Sequence, residues 1–175
     1  KTGTLTTGKL MIDTYDSLIA EDEFKTIVFS LEQYSSHPIA KSISKEWATS
    51  EPIVFVSTEE IKGIGLKAVD VNRNEWQLGS YRLLNDFGNE QRHDLYLIKN
   101  NELAGWVDMK DEVRLEAKEV IGQLKLKGYE TILLSGDRKE KCESIATELG
   151  IGQVYSEQLP DDKMKKLDSF LQKAP

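Results

Sequence analysis

The sequence predicts an α/β fold, a doubly wound parallel sheet, interrupted by an inserted α+β domain. Three observations lead there. Short apolar runs alternate with amphipathic helical stretches through residues 103–175, the pattern of parallel strands joined by crossover helices. Residues 9–102 have a different texture, with two helices followed by strands joined by tight turns. The seven residues Lys1-Thr2-Gly3-Thr4-Leu5-Thr6-Thr7 form a polar turn that would belong to the first of these textures. The economical partition is one domain of residues 1–8 and 109–175, with residues 9–108 inserted into it.

In the α/β part, Val113, Ala117, Val120, Ile121 and Leu124 recur at helical spacing and predict a helix over Glu112–Lys127, stopped by Gly128. Thr131-Ile132-Leu133-Leu134 is a short apolar run suited to a buried parallel strand, and it ends in Ser135-Gly136-Asp137. Arg138 to Leu149 is helical again, with Cys142, Ile145, Ala146 and Leu149 on one face and Gly150 as the stop. Val154-Tyr155 is a short strand, and Pro160 opens a last helix with Met164, Leu167, Phe170 and Leu171 inward.

In the inserted part, a strand around Lys9–Tyr15 precedes helices over Asp22–Tyr34 and Pro38–Thr49. Then come Ile53–Val56, a glycine-rich stretch Lys62–Leu66, a strand Lys67–Val71 and the turn Asn72-Arg73-Asn74-Glu75. A small helix over Tyr81–Asn85 follows. Asp94–Lys99 and Glu102–Val107, joined by Asn100-Asn101, read as a hairpin. Antiparallel strands with paired helices make this an α+β domain.

Composition limits the function classes. A 175-residue chain with 39% apolar and 30% charged residues can bury a core. Its net charge of −7, from 23 basic and 30 acidic residues, repels nucleic-acid phosphates. Nucleic acid is therefore not an expected partner. Cys142 is the single cysteine, so no disulfide forms within the chain, and its apolar helical face makes it a small core residue. No apolar run approaches the roughly 20 residues of a membrane helix. With only His37 and His93 as other soft ligands, no transported-metal site is expected here. Trp47, Trp76 and Trp106 read as packing residues.

Several short motifs carry chemistry. Gly3 lets a backbone turn approach a phosphoryl group closely, and Thr2 and Thr4 add hydroxyls and N–H donors. His37, before Pro38 at a helix start, can stack on a ring, bond a phosphate or simply cap the helix. Gly63-Ile64-Gly65, with Leu66 beside it, is not a dinucleotide fingerprint, because a third glycine and a β-α-β unit are lacking. Two such glycines still allow a flat ring or a phosphate to lie against bare backbone. Ser135-Gly136-Asp137 ends a strand, where ligands of α/β sheets gather. Asp137 serves there or caps the following helix. Lys163 offers a point charge to a phosphoryl group, while Lys165 and Lys166 fit a solvated helix face. Asp111 and Arg114 read as an ion pair near the return to the first domain.

Taken in order, these motifs resemble the catalytic loop of heavy-metal-transporting P-type ATPases. With one Asp in front, Lys1–Thr7 would be that family's phosphorylated loop. Ser36-His37-Pro38 resembles its histidine-proline signature, Gly63-Ile64-Gly65 its glycine pair, and Gly79-Ser80 its Gly-Asn, with Ser80 where Asn is usual. Asp111-Glu112-Val113-Arg114 resembles its Asp-x-x-Arg, Ser135-Gly136-Asp137 its Thr-Gly-Asp, and Pro160-Asp161-Asp162-Lys163 its Pro-x-x-Lys.

The resemblance implies a haloacid-dehalogenase-like phosphorylation domain and an inserted nucleotide-binding domain, with ATP and Mg²⁺ as cofactors. It implies nucleotide contacts at Glu32 (near the adenine edge), His37, Gly63, Gly65, Leu66, Gly79 and Ser80. It implies phosphoryl-transfer roles for Lys1, Thr2, Thr4, Ser135, Gly136, Asp137 and Lys163, with the Thr2 carbonyl on Mg²⁺. No role for Lys1 can be derived from its chemistry. The implied parent is a membrane pump for a heavy-metal cation, copper being the expectation ahead of zinc, cadmium or lead. Its partners would be ATP or ADP, its own membrane helices and actuator domain, and a metallochaperone. The segment would lie on the cytoplasmic side, itself soluble.

The accepting Asp would precede Lys1, and the family's Gly-Asp-Gly-x-Asn-Asp segment would follow Pro175. The 175 residues alone are therefore expected to bind nucleotide without turning it over. A soluble phosphatase of the same α/β superfamily and a non-catalytic regulatory module are the readings from other classes.

Overall fold

The computed structural model describes residues 3–84 and 93–171. The chain forms two compact units, residues 9–110 and residues 1–8 with 111–175. It passes from one to the other inside its two longest strands, β1 (Thr6–Ser17) and β6 (Glu102–Val113).

The larger unit is built on a six-stranded sheet of order β1-β6-β5-β4-β3-β2. The other members are β2 (Phe55–Ile61), which forms the edge opposite β1, β3 (Gly65–Asp70), β4 (Glu75–Gly79) and β5 (Leu95–Lys99). From β2 to β6 each strand pairs antiparallel with the next. Helices α1 (Glu21–Glu32) and α2 (Pro38–Glu46) supply the apolar layer against it. Phe24, Ile27, Val28, Leu31, Ile39 and Ile43 interlock with Ala68, Trp76, Leu78, Leu95, Leu97 and Val107. Phe24, Val28, Ile43 and Leu97 are fully excluded from solvent, and each such side chain contributes about 1.5–3 kcal/mol by burial. Acidic Glu21, Asp22 and Glu23 occupy the first turn of α1, where the helix dipole favours negative charge.

Local sequence chemistry explains most of these elements. Asn100 and Asn101 both take positive φ (50° and 66°), the requirement of the two-residue hairpin turn between β5 and β6. Asp70 closes the β3–β4 turn: its carboxylate accepts from the backbone N–H groups of Asn72 and Asn74, from Asn74 Nδ2 and from Trp76 Nε1. Trp47 packs edge-on against Tyr15 and Phe24, and Trp106 stacks on His93 at 3.7 Å.

The smaller unit contains α3 (Leu115–Leu126), β7 (Ile132–Leu134), α4 (Lys139–Leu149), β8 (Gln153–Tyr155) and α5 (Pro160–Leu171). β7 and β8 pair in parallel, which supplies the parallel sheet that the alternating pattern predicts. Its core joins Ala117, Ile121, Leu133, Cys142, Ile145, Ala146, Leu149 and Ile151. Cys142 is fully buried there. Among the described residues, no helix is long and apolar enough to cross a membrane.

Several sequence expectations are corrected. Glu112 and Val113 belong to β6 rather than to a helix. Arg114 N–H bonds the Leu5 carbonyl and the Thr7 hydroxyl bonds Glu112, so the chain stays extended until Leu115. Helices α1 and α2 end at Glu32 and Glu46, earlier than helical spacing suggests, and the helix after β4 is a single 3₁₀ turn, Tyr81–Leu83. Asn85 of that expected helix lies outside the described residues. Strand β4 is an addition to the elements that the sequence predicts. Its alternation of buried Trp76 and Leu78 with less buried Glu75 and Gln77 carries the period-2 signal.

Candidate functional site

The larger unit holds a cleft of about 360 Å³. Its lining comes from the end of α1, the loop into α2, the β2–β3 turn, and the start of the segment after β4. Glu32, His37, Gly63, Gly65, Leu66, Gly79 and Ser80 all line it, although they are spread over almost fifty residues of sequence. Ile39, Leu78 and Leu95 add apolar wall, and Glu60 and Asp94 add carboxylates.

Gly65 and Gly79 face each other across β3 and β4. A Cβ on Gly65 would lie 2.1 Å from the Leu78 carbonyl oxygen, and one on Gly79 would lie 2.3 Å from the Ile64 carbonyl oxygen. The two backbones approach so closely that neither position has space for a side chain, which leaves bare peptide at that part of the cleft. Gly63, at φ 74°, makes the turn just before it, and Arg82 Nη1 donates to its carbonyl at 3.2 Å. Ser80 N–H donates to the Ile64 carbonyl, and the Ser80 hydroxyl is shielded from solvent with no hydrogen-bond partner.

His37 is the N-cap of α2: its Nδ1 accepts from the Ile39 N–H at 3.3 Å. The capping alternative is thus realised, and the same bond fixes the imidazole at the cleft. The other ring nitrogen makes no hydrogen bond among the described residues. Glu32 is the unusual group. It is only 5% exposed, and its Oε2 has no hydrogen-bond partner. Burial pushes its carboxyl up to about 7, against a smaller opposing effect of a hydrogen bond from the Ser35 side chain. Its place in the last turn of α1, where the helix dipole disfavours negative charge, acts in the same sense as burial.

In the smaller unit, Ser135, Gly136, Asp137 and Lys163 come together at the end of β7 and the start of α5. Ser135 is buried, and its Oγ donates to Asp137 Oδ2 at 2.6 Å while accepting from the Asp137 N–H. Asp137 therefore braces Ser135, and the N-cap position of α4 is held by Arg138 with no side-chain capping bond. A Cβ on Gly136 would lie 3.9 Å from Lys163 Nζ and 3.2 Å from the Gln158 carbonyl oxygen, so the ammonium sits close over the glycine. Lys166 lies over the Tyr155 ring at 4.0 Å rather than on a fully solvated face.

Thr4 is exposed in the turn before β1. Arg114 Nη2 donates to the Gly3 carbonyl at 3.3 Å, so this arginine ties down the loop, a role that its nearness to Asp111 in sequence did not suggest. Lys1 and Thr2 lie outside the described residues. Among the described residues no cluster of three or more His, Cys, Asp or Glu could hold a metal ion.

A family model for haloacid dehalogenase-like hydrolases matches residues 1–172. The chain is 31% identical to a zinc-transporting ATPase of Bacillus subtilis, over 95% of this chain and 29% of that protein. It is also 31% identical to the copper-exporting P-type ATPase B of Archaeoglobus fulgidus, over 99% of this chain and 27% of that protein. The chain thus spans less than a third of the length of these curated relatives.

Among solved structures, the catalytic domain of the CPx-ATPase CopB-B, studied upon nucleotide binding, superposes with a TM-score of 0.74 at 27% identity, covering 98% of this chain and 64% of that one. A zinc-transporting PIB-type ATPase in its E2.Pi state gives a TM-score of 0.79 at 28% identity, covering all of this chain and 31% of that one. A parallel strand pair, an antiparallel sheet in the segment between the two parts of the smaller unit, and a family match over residues 1–172 lead to one assignment: the chain belongs to the haloacid dehalogenase-like hydrolases.

Proposed function

We propose that this chain is the ATP-binding catalytic part of a P-type ATPase that moves a heavy-metal cation across a membrane through an aspartyl-phosphate intermediate. The observation that carries the reading is the cleft of the larger unit, where Glu32, His37, Gly63, Gly65, Leu66, Gly79 and Ser80 converge. Residues 9–110 bind the nucleotide. The base lies along the bare backbone of Gly65 and Gly79, with the His37 ring and the apolar walls of Ile39 and Leu78 around it. Glu32 accepts a hydrogen bond from the base edge. The phosphates project outward, because the cleft lining contains carboxylates and no Lys or Arg among the described residues.

Residues 1–8 and 111–175 form the phosphoryl-accepting domain. The nucleophile is an Asp immediately before Lys1, which attacks the γ-phosphorus as ADP leaves. Lys163 and the backbone at Gly136 stabilise the charge that develops on the transferring group, and Ser135 is held in orientation by Asp137. Thr2 and Thr4 supply loop donors, with Arg114 fixing the loop through Gly3. The Thr2 carbonyl would hold Mg²⁺, which would supply neutralisation of the phosphate charge. The cargo is copper or zinc, the cations named for the relatives of equal identity. Membrane helices, an actuator domain and a metallochaperone are the partners of the whole pump.

The test is His37→Asn, which keeps a capping acceptor for α2 and removes the ring. ATP affinity, measured by calorimetry, should fall about five- to thirtyfold, the loss of a base–ring stacking contact of about 1–2 kcal/mol, while the circular dichroism spectrum stays unchanged. Unchanged affinity would refute the nucleotide assignment of this cleft.

A further inference from the structure

Glu32 combines three properties that no structural role explains. The residue is only 5% exposed, it lines a ligand-sized cleft, and its Oε2 is buried without a hydrogen-bond partner. A buried carboxylate oxygen with no donor is costly, and a protonated carboxyl avoids most of that cost.

We propose that ligand binding in this cleft is coupled to a proton: the empty cleft favours the neutral form of Glu32, and the proton that it holds is released to the solvent buffer when a base bearing an exocyclic amino group docks on Oε2. This rests on the nucleotide reading above and adds the control of the site by pH.

The surroundings favour the neutral form in the empty cleft. The other titratable groups lining it are His37 at the start of α2, Glu60 on β2 and Asp94 before β5. Two of these three are carboxylates, whose charge disfavours a third. The core-facing neighbours of Glu32 on α1, Val28 and Leu31, are apolar and buried. The Arg82 guanidinium donates to the carbonyl of Gly63, a lining residue, and no Lys or Arg is among the described lining residues. Ser35 alone donates to the carboxyl group. Burial has already moved its titration to about 7, so near-neutral pH divides it between the two forms.

An amino group on the ligand changes the balance. It is a donor only, so it bonds a carboxylate oxygen more strongly than the carbonyl oxygen of the neutral acid. The bond supplies to Oε2 the partner that the protein does not, and the proton leaves for the buffer. The shielded Ser80 hydroxyl, the second unpartnered polar group of the cleft, completes the polar contact with the same ligand.

Calorimetry of the full chain with ATP at pH 7, repeated in buffers of different ionisation enthalpy, counts the protons released. Wild type should release about half a proton more than Glu32→Gln, as expected for a group titrating near that pH. Wild-type affinity should weaken about tenfold more than that of the variant between pH 8 and pH 6. Purine riboside triphosphate, which lacks the exocyclic amino group, should leave the Glu32 proton in place on wild type. This comparison decides the matter if the variant does not fold.

Equal proton counts for ATP and purine riboside triphosphate on wild type, with both bound, overturn the inference and leave the nucleotide reading intact. No ATP binding by wild type at millimolar concentration overturns both.

Discussion

Replacing Glu32 with Gln should remove a pH-dependent loss of stability from residues 9–110. Burial raises the folded-state titration of Glu32 from 4.5 to about 7, and each unit of such a shift corresponds to about 1.4 kcal/mol. The sign follows from where the proton is held. The folded state binds it more tightly than the unfolded chain, so the contribution is fully present below pH 4.5. It is lost as pH rises toward 7 and is constant above that. Between pH 5 and pH 8 the loss attributable to this one group is about 2.5 kcal/mol, an upper figure because the cleft admits some water.

Urea unfolding at the two pH values measures it. Trp47, Trp76 and Trp106 are the only tryptophans and all lie within residues 9–110, so intrinsic fluorescence reports that unit. Wild type should lose about 2.5 kcal/mol more than Glu32→Gln across that pH range. The comparison of slopes is independent of any fixed cost of burying the amide. Parallel pH dependences in the two proteins would falsify the claim that Glu32 is neutral when folded.

The geometry fixes further outcomes. Gly65→Ala and Gly79→Ala place a Cβ 2.1 Å from the Leu78 carbonyl oxygen and 2.3 Å from the Ile64 carbonyl oxygen, and each should cost about 2–4 kcal/mol in urea unfolding. Gly122→Ala, on α3 with nothing within 4 Å, should instead stabilise by about 0.5–1 kcal/mol. Asp70→Ala strands the Trp76 indole N–H and two backbone donors, for an expected loss of about 2–4 kcal/mol by the same assay. Burial pushes the Asp70 carboxyl up, but the hydrogen bonds from Trp76, Asn74 and Asn72 outweigh it and hold the group below its ordinary value. Its stabilisation should therefore persist above the normal carboxylate range and fade as the pH falls below it, a dependence that the alanine variant lacks.

Elements whose signals are local were legible in the linear chain. Asn100-Asn101 announced a hairpin because two consecutive positive φ angles suit few other residues. Pro160 and Pro38 announced helix starts because their fixed φ and missing N–H suit only a first turn. The residues now found around the cleft were legible as motifs, since glycines without a side chain and a histidine before proline mark backbone and ring chemistry in a linear string.

What sequence could not show was energetic state. Glu32 reads as one more acid on an acidic helix until α1, the α2 loop and strands β3 and β4 enclose it and remove both water and hydrogen-bond donors from Oε2. The closeness of Gly65 to Gly79, the reach of Arg114 to the Gly3 carbonyl and the bracing of Ser135 by Asp137 also depend on coordinates. Local pattern is set by one residue's own steric and hydrogen-bonding preferences, whereas burial and pairing are set by what distant segments bring to it, and only the folded chain decides that.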